Sequence, residues 1–479
     1  MENTNTSETK GVKTLLGDPK KAIIKLSIPM IIAMSANTIY NLVDALWVSG
    51  LGKNIFTNAE ITEIGTGALA AVGFALPFFM MIMAISTGIG IGGGSAISRR
   101  IGASDKKGAD NIAIHSVIIS FLIAIIFSII FFVLAESIFS LIGAGEILNM
   151  AVSYGKVIFA GSIFVFFSYV AFAILRGEGD AKRAMYAMMF GAFLNIILDP
   201  IFIYTLQMGV TGAAIATVLS MFITTLILIY WLFFRKDTYV SFNFKNFKFN
   251  KEIIKDIFRV GLPASVQQLS MSITMVALIV IIGLSGDAKE GVAIYNTGWR
   301  VVMIAVLPML GIATAVTSVT GAAFGSKDYD KLNTAFMYAI KFGFIIEIII
   351  AFSIFITSPI IALVFTTAQE ALTIRAGLLM FLQISCIFYP TAAWGIASSA
   401  MFQGTGKGTY ALIATILRTI VFAIIICYLL AIIFDFGFVG IWWGIVISNL
   451  LGSSVSLIWA KLYIRKLRMI SKKNLKMGF

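Results

Sequence analysis

The chain has 479 residues, of which 59% are hydrophobic and only 12% are charged, whereas a soluble domain has about 25% charged residues. A soluble protein of this size could not bury so much apolar surface, so the composition predicts a polytopic, all-α membrane protein. The net charge of +13 would suit a nucleic-acid binder. The basic residues, however, gather in alternate loops, as membrane orientation requires, and no nucleic-acid partner is expected.

Twelve runs are long and apolar enough to be spanning helices, which need about 20 mainly apolar residues. The loops between them are alternately basic and acidic or bare. Because positive loops face the cytoplasm, both termini are predicted to be cytoplasmic. The N-terminus is polar, so no cleaved signal peptide is expected. The predicted spans are 22–50, 64–95, 112–141, 149–175, 184–206, 209–234, 253–283, 291–321, 333–364, 370–401, 409–434 and 437–464.

The second half of the chain repeats the first. "KKAIIKLSIPMIIAMSANTIYNL" (20–42) is echoed by "KDIFRVGLPASVQQLSMSITMVA" (255–277), and "AILRGEGDAKRAMYA" (173–187) by "AMFQGTGKGTYALIA" (400–414). Such repeats are typical of transporters, with the substrate path between them. The predicted segments are a cytoplasmic N-terminal segment (1–21), an N-lobe of helices 1–6 (22–234), a basic cytoplasmic linker (235–252), a C-lobe of helices 7–12 (253–464) and a basic cytoplasmic tail (465–479).

Two carboxylates lie inside predicted spans, where a charge is costly and is a functional candidate by default. Asp44 lies far along helix 1, and Asp199 lies about 22 Å into helix 5, at 1.5 Å per residue. Tyr40 and Asn195 precede these acids by one turn and share their helix faces. Thr217 lies about 12 Å down helix 6, near the level of Asp199. We expect these five side chains to converge in the outer half of the N-lobe.

These groups suit a cation. Two carboxylates in one apolar cavity cannot both stay charged cheaply, so the pair is expected to take up a proton or to hold Na⁺ with hard oxygen ligands. Pro200 has no N–H, so the carbonyl of Ile196 should lose its helical partner and be free to line a wet cavity. The alternative is that the polar groups only lock helices together. The predicted Na⁺ ligands are Asp44, Asp199, Asn195 and Thr217.

The second half lacks these acids. The repeat alignment puts Leu278 opposite Asp44 and Ile426 opposite Asp199. The acid site is therefore predicted for the first half alone.

Other polar residues lie within the spans of the second half. We expect a structural salt bridge among Lys341, Glu347 and Arg418. A second ion or substrate site is the alternative. The candidate residues for that polar site are Gln267, Gln268, Glu347 and Arg418.

The glycine-rich run "TGIGIGGGSAISRR" (87–100) has the glycine spacing of phosphate loops but lacks GKS/T. We expect it to pack helices closely through its small residues. The sequence contains no nucleophile–base arrangement, Walker motif or metal-ligand spacing. Neither enzymatic activity nor a cofactor is expected, apart from H⁺ or Na⁺ as the coupling ion.

The repeated motifs, with "LNIILDPIFIYTLQMGVTGAAIAT" (194–217) and "SAMFQGTGKG" (399–408), resemble the multidrug and toxic compound extrusion (MATE) family. The likeness is to its prokaryotic branch of DNA-damage-inducible F-type and archaeal transporters and covers about residues 12–470. It implies a V-shaped pair of six-helix bundles and alternating access in the cell membrane. It also implies export of small amphipathic or cationic compounds, driven by H⁺ or Na⁺. The expected partners are these substrates and membrane lipids, with the chain a monomer.

The resemblance also implies residue roles. The helix 1 aspartate of the family's coupling site falls on Asp44, and the tyrosine one turn earlier falls on Tyr40. The helix 5 Asn-x-x-x-Asp falls on Asn195 and Asp199, and the helix 6 threonine on Thr217.

Pro29 matches the family's helix 1 proline, whose bending is linked to protonation. One departure concerns helix 4, where some relatives have an asparagine cluster that contacts drugs but this chain has "FFSYVAF" (166–172). A lipid or polyprenyl-linked precursor flippase of the related superfamily is the alternative function. It would favour basic residues in the central cavity, for which Arg300 and Arg418 are available.

Overall fold

The computed structural model describes residues 9–50, 65–235, 237–244, 247–366 and 372–476, and its regular structure is helical throughout these ranges. Eleven described helices are long and apolar enough to cross a membrane, and there are twelve such crossings if a bent helix pair is counted as one span. The chain is thus a multi-pass all-α membrane protein, as predicted. Cytoplasmic termini remain a prediction. The predicted terminal segments and linker lie outside the described residues at 1–8, 236, 245–246 and 477–479.

The first half begins with a short helix that the sequence did not indicate, in which Val12 and Leu15 are buried. Six crossings follow, and the fifth and sixth end in π-helical turns at Ile201–Thr205 and Tyr230–Phe234. The helices are α1 (Lys10–Leu16), α2 (Pro19–Val48), α3 (Thr66–Gly102), α4 (Lys106–Leu141), α5 (Leu148–Gly177), α6 (Ala181–Pro200) and α7 (Gly209–Ile229).

The second half differs from expectation in one crossing. The predicted continuous span 370–401, whose first two residues lie outside the described ranges, is two helices that meet at a 55° bend. Pro390 supplies the reason, because it cannot donate a backbone hydrogen bond to the preceding turn. The helices are α8 (Lys251–Ser285), α9 (Ala288–Gly325), α10 (Tyr329–Phe365), α11 (Arg375–Ser385), α12 (Tyr389–Gly404), α13 (Gly408–Ile416), α14 (Ala423–Tyr428) and α15 (Gly437–Lys476).

The backbone repeats along with the sequence. Asp105 and Asp328 cap α4 and α10, each accepting a hydrogen bond from the amide three residues on, at 2.8 and 2.9 Å. The residues before them, Ser104 and Lys327, both have φ of 57°, a left-handed conformation that is uncommon outside glycine. The same unusual turn thus recurs at equivalent places in the two halves.

The glycine-rich run lies inside α3 and packs closely, as predicted. A Cβ on Gly92 would lie 2.2 Å from the carbonyl oxygen of Ile257, and one on Gly94 would lie 2.6 Å from that of Ala173. Neither position admits a side chain without a backbone shift. The run therefore brings α3 into direct contact with α5 and α8.

The chain divides into two compact units that depart slightly from the two sequence halves. The division passes through α2 between Ile31 and Ile32 and through α8 between Ser265 and Val266. Unit 1 comprises the described residues of Met1–Lys13, Ile32–Ile101 and Asp105–Ser265, and unit 2 those of Thr14–Ile31, Gly102–Ser104 and Val266–Phe479.

Candidate functional site

The two carboxyl groups predicted to converge do meet in unit 1. Asp44 on α2 and Asp199 on α6 are within hydrogen-bonding reach of each other. Asp199 is fully buried, and Oδ1 of Asp44 is inaccessible and has no hydrogen-bond partner within the described ranges. Because ionised carboxylates only accept hydrogen bonds, a bond between these two groups requires a proton on one of them.

A chain of hydrogen bonds leads from this pair to the other three predicted residues, all of them buried. The side chains of Asn195 and Thr217 are 3.2 Å apart. When the amide is turned to satisfy both its ends, Asn195 Nδ2 donates to Asp199 Oδ2 at 2.9 Å and its oxygen accepts from Thr217 Oγ1 at 3.2 Å. The Tyr40 hydroxyl in turn lies within hydrogen-bonding reach of the Thr217 side chain. Polar groups of Asn195, Thr217 and Tyr40 are thus connected in series to the carboxyl pair.

The turn after Pro200 contributes contacts that the sequence did not indicate. α6 continues past Pro200 as a π-helical turn, a feature found often at functional sites. Within that turn the Tyr204 hydroxyl donates to the carbonyl of Trp47, and the two rings meet edge-to-face at 6.4 Å. Trp47 lies three residues after Asp44, so the proline and its π turn tie α6 to α2 beside the acids. The freed carbonyl of Ile196 remains a prediction.

Tyr154 on α5 is a neighbour of both acids that was also missed from the sequence. Like Trp47, it packs against the buried apolar cluster that contains Tyr204. A phenol at membrane depth was a signal in the sequence. The predicted cluster, however, drew on the first, fifth and sixth predicted spans, and Tyr154 lies in the fourth.

A small cavity adjoins the acid site. Its volume is about 20 Å³, enough for one water and far below the roughly 300–1,000 Å³ of drug-sized pockets. Tyr40 and Asn195 line the cavity while also belonging to the hydrogen-bond chain. Aromatic and thioether side chains from the stretch that lacks asparagine and from neighbouring helices complete much of the wall: Tyr169, Phe172, Met188 and Met221.

Pro29 is not part of this cluster. It lies within α2, fifteen residues before Asp44, which corresponds to about 22 Å along a helix. Pro29 belongs to unit 2, and the division of the chain passes through α2 two residues later.

The second-half polar residues do not form one site. Gln267 Nε2 donates to Ser399 at 3.0 Å and to Thr415 at 2.7 Å, and Gln267 Oε1 accepts from Gln403 at 3.1 Å. This network is neutral, and it uses both N–H donors of the Gln267 amide and one of the two lone pairs of its oxygen. Gln268, the next residue, is exposed and outside the network.

The expected salt bridge in the second half is wrong. Glu347 is fully buried, and although the backbone of Met309 lies near, neither carboxyl oxygen has a partner with hydrogen-bond geometry in the described ranges. Lys341 is exposed, because six residues along a helix turn it to another face. Arg418 instead donates to Asn449 at 3.3 Å.

Comparison with known proteins agrees with this architecture. The family model described as MatE matches residues 29–201 and 263–429. The "Multidrug export protein MepA" of Staphylococcus saprophyticus is 28% identical over 437 residues, covering 90% of each chain.

Solved structures are more similar still. One, described as the outward-facing conformation of a multidrug resistance MATE family transporter of the MOP superfamily, is 46% identical, covers 97% of this chain and 100% of its own, and has a TM-score of 0.91. Another, described as MATE in the bent conformation, shares 46% identity over 97% and 100% of the two chains, with a TM-score of 0.90. Together with the family model, which matches well over half of the sequence, these likenesses show that the chain belongs to the MatE family.

Proposed function

We propose that this chain is a multidrug efflux antiporter, which exports small amphipathic or cationic compounds across the cell membrane in exchange for H⁺ or Na⁺. The observation that carries the proposal is the adjacent carboxyl groups of Asp44 and the buried Asp199, with the hydrogen-bond chain that leads to them. Export is supported by the multidrug export relative and the multidrug resistance structure described above.

The carboxyl pair is the proposed coupling site. A proton between Asp44 and Asp199 removes their repulsion and leaves a single charge, while its loss leaves two adjacent carboxylates in a medium that penalises charge. Na⁺ could replace this proton, since the carboxylates, the amide oxygen of Asn195 and the hydroxyl of Thr217 are hard oxygen ligands. For its oxygen to bind Na⁺, the Asn195 amide would either keep the hydrogen bond from its nitrogen to Asp199 or give that bond up.

Ion binding reaches the substrate cavity through shared residues. Tyr40 and Asn195 each belong both to the hydrogen-bond chain and to the cavity wall. A change of charge at the acids therefore changes the orientation of two groups that substrate would contact. Ion and substrate would in this way favour different states, which is what exchange requires.

Pro29 is the proposed hinge of this change. Proline interrupts the backbone hydrogen bonds of α2, and the division of the chain passes through α2 next to it. The proposal is supported by the related structure described as MATE in the bent conformation. Opening of the 20 Å³ cavity is required before it can admit a drug-sized compound.

The test is export from proteoliposomes with H⁺ and Na⁺ gradients imposed separately. One of the two gradients should drive export by the wild type, and Asp44→Asn and Asp199→Asn should reduce gradient-driven export to the rate of protein-free liposomes. Glu136→Gln, which changes an exposed acid on α4, is the matched control and should export like wild type. Undiminished gradient-driven export by either folded aspartate variant would refute the coupling role.

A further inference from the structure

A second cavity lies on the surface of unit 1 and shares no residue with the cation site or its cavity. It is a groove of about 340 Å³ between α4, α5 and α7. Every lining residue is apolar except one lysine. The residues that shape it are Phe132, Lys156, Val157, Ala160, Gly161 and Phe164.

The groove owes its form to small residues between aromatic walls. A Cβ on Gly161 would lie 2.3 Å from a methyl carbon of Val218, so α5 and α7 are in direct contact at the floor. Ala160 is exposed beside it, and Phe132 forms a wall with 43% of its surface exposed. The result is a narrow apolar trough along α5.

Lys156 lies at one end of this trough without an anionic partner. Its Nζ is 5.7 Å from the centre of the Phe132 ring, and no ion pair in the described ranges includes it. It belongs to the half of α5 predicted to be extracellular, where lysines are disfavoured relative to the cytoplasmic side. Orientation alone therefore does not account for this lysine.

The side chain of Lys156 can reach the level of the lipid headgroups from its position along α5. α5 has 30 residues, so it is about 45 Å long and extends roughly 7 Å beyond a 30 Å hydrocarbon core at each end. Lys156 is eight residues, or about 12 Å, from the first residue, and its long side chain reaches the interface from there. Phe164 lies a further 12 Å or so toward the membrane centre.

We propose that this groove binds a glycerophospholipid with a net negative headgroup, whose phosphate contacts Lys156 and whose acyl chain lies along Val157, Ala160 and Phe164. Basic pockets between membrane helices on the cytoplasmic side bind anionic headgroups, and the same attraction of opposite charges applies to Lys156 here. The trough needs an apolar chain to cover it, and the lysine needs an anion. A phospholipid supplies both in one molecule, whereas free phosphate would leave the trough uncovered.

The experiment is native mass spectrometry of the purified full-length chain in detergent, with phosphatidylglycerol or phosphatidylcholine added at equal concentrations. Wild type should retain phosphatidylglycerol about fivefold more than phosphatidylcholine, the preference that one lysine near a membrane surface provides. Lys156→Gln should remove that preference, and Lys156→Arg should keep it. Ala160→Phe, which fills the trough but leaves the lysine, should reduce retention of both lipids.

Lys289→Gln is the matched control, because Lys289 is exposed at the start of α9 and lies outside the groove. It should retain lipid like wild type. Equal retention of the two lipids by wild type, or an unchanged preference in Lys156→Gln, would show that Lys156 only extends to the interface and would overturn the proposal. Displacement of the retained lipid by inorganic phosphate would also overturn it, since the acyl chain would then be unnecessary.

Discussion

The two halves of the chain share turns and caps but differ in their charged residues. Where the first half has Asp199, Glu178 and Lys156, the alignment places Ile426, Thr405 and Gln383 in the second. The equivalent of Gly161 in the groove is Phe388, which is buried. Conserving the backbone turns while replacing the charged groups indicates that the fold does not depend on those charges. We therefore expect these charges to serve the function of unit 1.

One pair of aligned positions shows the difference between the halves in atomic detail, because a large and a small side chain are exchanged between two helices. In unit 1 Gly191 lines the cavity, and its missing Cβ would lie 2.6 Å from Thr224 Oγ1. In unit 2 the aligned residues are Arg418 and Gly452, and here a Cβ on the glycine would lie 2.5 Å from the arginine Cβ. The large and small partners have changed places between the helices. Arg418 thus occupies the volume that corresponds to part of the cavity wall in unit 1.

The largest effect that should separate the halves concerns Glu178, in the loop between α5 and α6. Its side chain is 2% exposed and its Oε2 accepts from the amide of Val240 in the linker at 3.0 Å. Burial raises the pKa of Glu178 to about 8, against the opposing effect of the Val240 hydrogen bond. The docked linker should therefore be most stable below the ordinary pKa of a glutamate and lose stability as the pH rises through about 8, by an amount on the order of several kcal/mol.

Hydrogen exchange at the Val240 amide between pH 5 and 9 measures this effect. Protection, corrected for the intrinsic exchange rate, should fall across this range in wild type and stay constant in Glu178→Gln, which keeps the acceptor without the charge. Thr405→Val, at the aligned position, should leave the pH dependence of wild type unchanged. Identical pH profiles for wild type and Glu178→Gln would contradict the assignment.

A smaller effect is expected at Glu347, the buried acid of unit 2. The repeat places Ala124 at this position in the first half, so the fold does not require a polar group there. Because the carboxyl group is buried and has no hydrogen-bond partner among the residues that the structure describes, Glu347→Met should raise the free energy of unfolding by about 1–3 kcal/mol. A higher melting temperature with unchanged gradient-driven export would confirm the contrast with Asp199. Loss of export would instead indicate that Glu347 takes part in ion transport.

The sequence predicted the crossings and the acid cluster because both depend on signals within single helices. Apolar runs mark crossings, and a residue one turn before Asp44 or Asp199 shares its face whatever the neighbouring helices do. The family resemblance placed the same five residues. The acid cluster was also predictable because charged side chains at membrane depth almost always face the interior of the helix bundle and pair with other polar groups.

Contacts between helices were predicted less well. The salt bridge failed because periodicity along one helix does not determine which neighbour Glu347 faces. Tyr204 was missed because a π turn after Pro200 rotates the chain away from the 3.6-residue pattern. The 55° bend before Tyr389 was missed because an apolar run gives length but not direction. Each of these features depends on tertiary packing.

The smallest effect should come from the neutral network of unit 2. Gln267→Ala removes hydrogen bonds to Ser399 and Thr415, yet such bonds within membranes contribute only about 0.6 kcal/mol on average, because the hydroxyls find other partners. We therefore expect a loss of about 1 kcal/mol of stability and an unchanged dependence of export on the ion gradient. Gln268→Ala, at the adjacent exposed position, should change stability by less than about 0.5 kcal/mol. Comparing the melting temperatures and ion dependence of these neighbours decides whether unit 2 contributes structure alone, because a changed ion dependence in Gln267→Ala would place part of the coupling there.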